Sequence, residues 1–215
     1  MSKPYSEADF SSQIQGDRTW RIKELSDLKT AARRADGNLQ RALLRALVTV
    51  CYAHFEGSVR FSARKYLEYV AMRKFKFREI DRQFLRNYFL PRLAALSNAT
   101  VNISQRCTLV DEILNSSNLR FSRFDKDLVN TKANLSFEVF QDICKVCSVS
   151  IATFEGKATF VDVFLLKRRN SIAHGEDTYV EVADLDDLAS GTIELMRTFG
   201  DALENHIYSK SYKSA

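Results

Sequence analysis

Apolar side chains recur along this chain at intervals of three and four residues, the spacing that places them on one face of an α-helix. The longest such stripe runs from Leu39 to about Arg73 and predicts a helix long enough to be the spine of a bundle. Its members are Leu44, Val48, Cys51, Phe55, Val59, Tyr66 and Val70. Only 7 Gly and 2 Pro interrupt the 215 residues, too few for the frequent turns of an all-β protein. The pattern therefore predicts an all-α fold.

A shorter helix is predicted ahead of this rod. The stretch 17–35 is amphipathic and ends near Asp36-Gly37-Asn38, a turn in which Asn38 can cap the long helix. We expect residues 1–15 to form a flexible arm and residues 210–215 a flexible tail. No internal repeat, low-complexity tract or charge block divides the chain, so we expect a single domain over 1–215.

Four more helices are predicted after the rod. They cover the segments 80–96, 136–147, 158–174 and 184–207. Ser136 can cap the second of them, and Gly175 ends the third by supplying a left-handed residue. Pro91 should kink or interrupt the first, because proline removes a backbone donor. The Asn- and Ser-rich stretch 97–134 predicts loops around a short helix and has no assigned role.

Composition narrows the class of protein. Hydrophobic residues make up 45% of the chain and charged residues 27%, which fits a globular protein rather than a disordered or membrane-embedded one. The sequence shows neither a secretion leader nor an apolar run of about 18 residues, so we expect a cytoplasmic protein without a membrane partner. A formal net charge of +5 permits a polyanionic partner such as nucleic acid without requiring one.

The cysteines predict core packing rather than metal or redox chemistry. Cys144 and Cys147 form a C-x-x-C, but they lie in an apolar helical pattern without a second such pair or a pair of histidines. Cys51 and Cys107 are isolated in sequence. We therefore expect no metal and no cofactor.

Candidate chemistry concentrates between Leu166 and Glu176. A purely structural interpretation is available, because arginines and a histidine at a helix C-terminus complement the macrodipole and a following glycine caps the helix. Against it, Arg169 projects within about 40° of Leu165 and about 60° of Ile172, beside the stripe that should face the interior. A guanidinium in that position needs either a hydrogen-bond or ion-pair partner or a functional role.

The string Arg169-Asn170-Ser171-Ile172-Ala173-His174, with Gly175, is an R-N-x-x-x-H that resembles the signature of the HEPN superfamily. Tyr52-Ala53-His54-Phe55-Glu56-Gly57, followed by Tyr66-Leu67-Glu68-Tyr69-Val70, is similar to the second helix of a stand-alone, toxin-like HEPN branch. Leu135-Ser136-Phe137-Glu138-Val139 resembles the segment of that branch upstream of the signature. The resemblance spans about 40–176.

The resemblance implies an antiparallel helical bundle with one long central helix and additional peripheral helices. It also implies a homodimer in which the signatures of two subunits meet, and metal-independent cleavage of RNA, the activity of many members. Arg169 and His174 match the catalytic pair, and Asn170 matches the polar second position. Glu56 corresponds to the acidic or polar residue that often supports the pair.

These residue types suit cleavage of RNA through its own 2′-hydroxyl. An imidazole can take the 2′ proton or protonate the leaving 5′ oxygen, and arginine can hold phosphate oxygens with two parallel hydrogen bonds. Five helical steps place Arg169 and His174 about 140° apart, so they need a helix break or a second subunit to converge. The segment 158–174 is apolar on a second side through Phe160 and Val163, which a second copy could cover.

Alternatives remain open at this point. Glu56 can simply pair with Arg60 at i,i+4, and Gly57 suggests close approach of another backbone, with the signature helix as the natural candidate. The leading hypothesis is a toxin-like endoribonuclease restrained by an antitoxin or a defence-system partner. The other hypotheses are a catalytically silent module that binds RNA or a nucleotide, and a dimerisation adaptor.

Overall fold

The computed structural model describes residues 3–96, 102–131 and 134–214. These residues contain seven α-helices and no β-strand. The helices are α1 (Glu7–Arg34), α2 (Gly37–Met72), α3 (Arg82–Ala95), α4 (Ile103–Leu114), α5 (Phe137–Val146), α6 (Arg168–Ala173) and α7 (Asp184–Tyr208). A π-helical segment, Phe160–Lys167, runs directly into α6. The all-α prediction is confirmed.

Helix α2 is the central rod that its apolar stripe predicted. It packs against both α1 and α7, which also pack on each other, and the chain turns back from α1 into α2 through Ala35 and Asp36. The predicted cap at Asn38 is wrong by two positions: the helix begins at Gly37, and its capping position is Asp36. Gly37 has a φ of +51°, a left-handed conformation that glycine adopts without strain.

The sequence analysis expected a flexible arm at 1–15 and a flexible tail at 210–215, and the described parts of both, 3–15 and 210–214, contain residues that pack on the core. Helix α1 begins at Glu7 because Ser6 and Asp9 cap it reciprocally, and its Phe10 and Ile14 are buried in the core. Near the other end, the Tyr212 ring is buried against Tyr69 and Phe75. Phe10 and Ile14 are enough to dock the first segment on the core, and Tyr212 alone docks the second.

Helix α3 carries Pro91 in its interior and continues to Ala95, so the proline does not end it. The start is also later than predicted, at Arg82, because Asp81 caps the helix through the N–H of Gln83 at 2.6 Å. The predicted loops around one short helix hold for 102–131, where α4 is followed by 3₁₀ turns. The rest of that prediction, at 97–101 and 132–133, lies outside the described residues.

The cysteine pair of the C-x-x-C is part of the core, as predicted. Cys144 and Cys147 are buried, and burial raises the pKa of the Cys144 thiol to about 12 and that of Cys147 well above its ordinary value. None of the described helices combines the length and apolarity required to cross a bilayer.

Candidate active site

The signature lies at the end of a helix whose termination follows from its sequence. Gly175 adopts a φ of +81°, and its N–H donates to the Ile172 carbonyl at 3.1 Å. The next N–H, of Glu176, donates to the Ser171 carbonyl at 3.0 Å. This pair of bonds is a Schellman motif, which satisfies the last carbonyls and places His174 at the C-cap.

The segment before the signature is anchored in the core. Val161 and Leu165 are fully buried, and the Asp162 carboxylate accepts the Phe137 N–H at 2.7 Å, which ties the segment to the start of α5. Phe160 packs on Gly191 of α7 so closely that a Cβ added there would lie 2.6 Å from its ring.

The second apolar side predicted for this segment is therefore wrong in part, because α7 of the same chain covers Phe160. The prediction assumed 100° per residue, whereas bonds from i to i+5 put more residues in each turn of a π-helix and rotate the side chains away from an α-helical projection. Val163 alone of that side stays exposed, at 46%.

Arg169 is held by neutral groups. One of its terminal nitrogens, Nη1, donates to Oδ1 of Asn170 at 2.8 Å and to Oδ1 of Asn134 at 3.2 Å. Its guanidinium carbon lies 5.0 Å from the centre of the Tyr52 ring, within the range of a cation–π contact. Arg169 forms no ion pair with any described carboxylate, whereas its neighbour Arg168 is paired with Asp184 at 2.6 Å. The Arg169 charge is thus oriented without being neutralised.

Tyr52 connects Arg169 to Glu56. The Tyr52 hydroxyl accepts the Leu135 N–H at 2.6 Å. Burial and, to a smaller extent, the Glu56 charge raise the pKa of this phenol to about 12, so it is protonated at neutral pH. Glu56 lies one turn further along α2 and does not pair with Arg169 directly.

Glu56 has two partners of its own. Its Oε1 accepts the Thr131 hydroxyl at 2.6 Å, and Nη1 of Arg60 lies 3.9 Å from the same oxygen. The i,i+4 pair with Arg60 is present but long, and the shorter bond fixes the side chain of Thr131. Among the described residues, Tyr52 is the group that lies near both Glu56 and Arg169.

His174 stands apart from the other candidate residues. Its backbone N–H donates to the Asn170 carbonyl at 2.9 Å, and its side chain is exposed. Since α6 is regular from Arg168 to Ala173, no helix break brings the imidazole back towards Arg169. Both residues lie in the described part of the chain, and no hydrogen bond joins their side chains.

The signature helix was expected to pack on Gly57, but it does not. A Cβ at this position would lie 2.7 Å from Nη1 of Arg21, so the close neighbour is a guanidinium of α1. Arg21 is fixed there by Asp17 at 2.8 and 2.9 Å and by Nδ1 of His54 at 3.2 Å. His54 is buried, and its ring packs on Trp20, which makes it a structural residue.

Three residues of the site escaped the sequence analysis: Tyr52, Thr131 and Asn134. Tyr52 had a signal, because it opens the stretch Tyr52–Gly57 and lies four residues before Glu56. Thr131 and Asn134 had none, since they reach the site from an irregular segment with no periodicity. In the ranges 3–96, 102–131 and 134–214, no three His, Cys, Asp or Glu side chains are grouped to hold a metal ion.

Comparison with protein-family models gives a match over most of the chain. A family model described as RiboL-PSP-HEPN matches residues 17–205, which run from within α1 to near the end of α7. No curated protein and no solved structure matches the chain. HEPN domains are generally related to ribonucleases or bind nucleotides. The chain belongs to the RiboL-PSP-HEPN family of the HEPN superfamily.

Proposed function

We propose that this protein is a metal-independent endoribonuclease whose site is completed by a second copy of the chain. The observation that carries the proposal is the state of Arg169: a cation fixed by two amide oxygens and an aromatic ring, with no described carboxylate paired to it. A guanidinium held in this way keeps its charge and donors available for a phosphate.

The reaction is a transfer of the phosphoryl group to the neighbouring 2′ oxygen. His174 takes the proton of the 2′-hydroxyl, the 2′ oxygen bonds to phosphorus, and the bond from phosphorus to the 5′ oxygen breaks. His174 of the partner subunit gives a proton to the leaving 5′ oxygen. Arg169 stabilises the charge that develops on the phosphoryl oxygens, and Asn170 and Asn134 orient it. The products are a 2′,3′-cyclic phosphate and a 5′-hydroxyl.

A homodimer is the second part of the proposal. One subunit supplies a single imidazole, exposed at a helix end and about 140° around the axis from Arg169, which is too few groups for a concerted acid and base. A two-fold axis near the C-terminus of α6 would bring two copies of His174 together, because such an interface is self-complementary. The exposed Val163 supports an interface on this side of the segment.

The test of the activity is incubation of purified protein with mixed cellular RNA, with and without excess EDTA. The wild type should cleave in both, and His174→Ala should lose about 10²–10⁴-fold in rate, the usual contribution of a proton shuttle. Glu176→Ala is the matched control, since this neighbouring residue contributes only backbone atoms to the helix cap and to Arg45. Full activity of a folded His174→Ala protein would contradict the assignment.

Arg169→Lys tests whether the arginine acts by more than its charge. Lysine keeps the positive charge but loses the planar fork that reaches a phosphate and an amide oxygen at once, so we expect severe impairment with an unchanged fold. If the lysine variant were fully active, Arg169 would contribute only its positive charge.

The shared site is tested by mixing subunits. Wild-type and inactive His174→Ala chains are combined, and the mixed dimers are verified by mass. If each site needs both imidazoles, excess mutant depresses activity below simple dilution. Activity that falls only in proportion to the wild-type fraction would reject the shared site and leave the ribonuclease assignment standing.

A phosphate-binding module without catalysis is the second candidate, because Arg169 and His174 do not meet within one subunit. RNA binding without cleavage by wild-type dimers would favour it. The biological setting belongs to the same proposal: a toxin-like enzyme restrained by an antitoxin protein should arrest growth when expressed alone, and His174→Ala should relieve the arrest.

A further inference from the structure

A groove of about 380 Å³ lies beside α1 and α2, away from the signature. Its described lining includes two aromatic rings, Trp20 and Phe61, and several cations. Gly57 forms part of its wall, where the absent side chain leaves room for the guanidinium of Arg21.

Not every cation of this groove is paired with a carboxylate. Arg21 is neutralised by the buried Asp17, as described above. Arg60 has its nearest carboxylate oxygen on Glu56, at the long distance of 3.9 Å. Arg64 and Lys126 form no ion pair with the residues that the structure describes. The groove therefore carries an excess of positive charge that an anionic ligand would complement.

Arg64 provides an independent observation. Its Nε is buried and has no hydrogen-bond partner among the described groups. Buried donors are almost always paired in folded proteins, so an unpaired guanidinium nitrogen on the wall of a cationic groove calls for an explanation. A bound anionic group, reached by a small rotation of this side chain, would satisfy it.

The exposed ring of Trp20 favours a nucleotide over an anion that has no aromatic base. Trp20 is 49% exposed, although its ring makes a T-shaped contact with the His54 ring at 5.0 Å between centres and the guanidinium carbon of Arg21 lies 4.5 Å from its centre. Exposed rings among cations are the arrangement with which proteins hold single strands, because every base offers a face for stacking and every phosphate a charge.

The position of the groove relates it to the candidate active site. From the buried Tyr52, the residues Glu56, Arg60 and Arg64 follow at i,i+4 along α2, in a row that turns about 40° around the helix at each step and reaches the exposed surface at Arg60. At 1.5 Å per residue, this row runs about 18 Å from Tyr52, which lies under Arg169, to Arg64. A strand bound at Arg169 can therefore continue along α2 into the groove.

We propose that this groove binds the RNA strand that flanks the scissile phosphate, with phosphates on Arg60, Arg64 and Lys126 and a base against Trp20. The inference rests on the proposed function, because it gives the groove the substrate of that site. An acidic segment of a protein partner would use the same charges but has no need of the row that leads to Arg169.

Trp20 is the only tryptophan of the chain, so it reports on the groove without a label. The probe is a single-stranded 2′-O-methyl oligonucleotide, which cannot be cleaved through a 2′-hydroxyl. Titration should quench the Trp20 fluorescence with the same midpoint as the anisotropy of an end-labelled oligonucleotide. No binding, or binding that leaves the Trp20 emission unchanged, would overturn the proposal.

Arginine variants locate the binding. The double variant Arg60→Gln with Arg64→Gln should weaken binding at least about tenfold, the scale of losing charged hydrogen bonds. It should also reduce the slope of log affinity against log salt by about 1.4, that is about 0.7 for each lost phosphate contact on a single strand. The matched control is Arg78→Gln with Arg197→Gln, which removes two exposed arginines lying outside the groove and should change neither quantity.

Lys126→Gln is a second variant that is less prone to a folding defect than the α2 variants, because this residue is exposed in a short 3₁₀ turn. It should weaken binding about threefold and lower the salt slope by about 0.7. Unchanged affinity and slope in both the double variant and Lys126→Gln would overturn the proposal, and an acidic protein partner would then be the better occupant.

Cleavage of substrates of two lengths separates this proposal from the proposed function. A dinucleoside monophosphate reaches only Arg169 and His174, so the double variant should lower kcat/KM for a long single strand about tenfold more than it lowers kcat/KM for the dinucleoside monophosphate. If no protein cleaves either substrate, the catalytic assignment fails while the binding titrations still decide the groove. An equal change in kcat/KM for the two substrates would count against the groove alone.

Discussion

Two buried tyrosines on α2 allow the hydrogen bonding of the core to be tested against its packing. Both rings are almost fully buried. The Tyr52 hydroxyl accepts the buried Leu135 N–H at 2.6 Å, whereas the Tyr66 hydroxyl is a buried polar atom with no partner in the described part of the chain. Replacing each with phenylalanine removes one oxygen and leaves the ring, so the two substitutions should have different energies.

Tyr52→Phe leaves the Leu135 amide buried and unpaired, which should lower the free energy of unfolding by about 1–3 kcal/mol. For a chain of this length, each kcal/mol corresponds to about 2–4 °C in Tm. Tyr66→Phe removes a hydroxyl that was desolvated without compensation, so its effect should lie between no change and a stabilisation of about 1 kcal/mol. The retained ring of Tyr52→Phe still lies under Arg169, so the cation–π contact should survive the substitution.

The assay is urea unfolding followed by circular dichroism, with the exposed Tyr5→Phe as control, for which we expect a change within about 0.5 kcal/mol. The m value should be equal in all four proteins, because the same surface is exposed on unfolding. Equal stability of Tyr52→Phe and wild type, or a Tyr66→Phe protein as unstable as Tyr52→Phe, would refute the reasoning that hydrogen bonding separates the two sites.

Three further predictions concern packing, thiols and pH. Gly191→Ala should destabilise the fold by about 0–2 kcal/mol, since crowding of the Phe160 ring outweighs the gain of about 1 kcal/mol in helix propensity. Gly16→Ala should stabilise the fold, because a Cβ at this position meets nothing within 4 Å. Urea unfolding measures both changes. A thiol reagent at pH 8 should modify Cys107 rapidly and the three buried cysteines only as the chain unfolds. Burial lowers the pKa of His54 below 6.5, so the unfolded chain binds this proton more readily than the folded chain. Thermal unfolding should therefore occur at lower temperature as the pH falls through that value. A His54→Gln protein, if folded, should lose part of this pH dependence.

The parts of the fold that local patterns control were predictable from the sequence. The α2 stripe predicted the central rod, since one continuous period over so many residues has few alternatives. The stop at Gly175 was equally local, because a left-handed cap is set by one residue and its neighbours. The helical start at Glu7 had a local signal too, the pair Ser6 and Asp9, which the polar composition around it obscured.

The features that sequence did not predict depend on contacts distant in the chain. Asn134 reaches Arg169 from 35 residues away, and Tyr52 lies under it from another helix. The π-helical segment has no sequence signature, and it changed which side chains of 158–174 face α7. Gly57 was taken as a place where another backbone approaches closely, whereas the packing of α1 places the Arg21 side chain there.

The most direct test of the central claim is to incubate the wild-type protein with RNA in excess EDTA and identify the chemical nature of any ends produced. Attack by the 2′-hydroxyl predicts 2′,3′-cyclic phosphate or 3′-phosphate at one end and a 5′-hydroxyl at the other, with these ends missing when His174→Ala replaces the wild type. Ends with a 5′-phosphate and a 3′-hydroxyl, or the same ends made at the same rate by His174→Ala, would contradict the Arg169 and His174 mechanism.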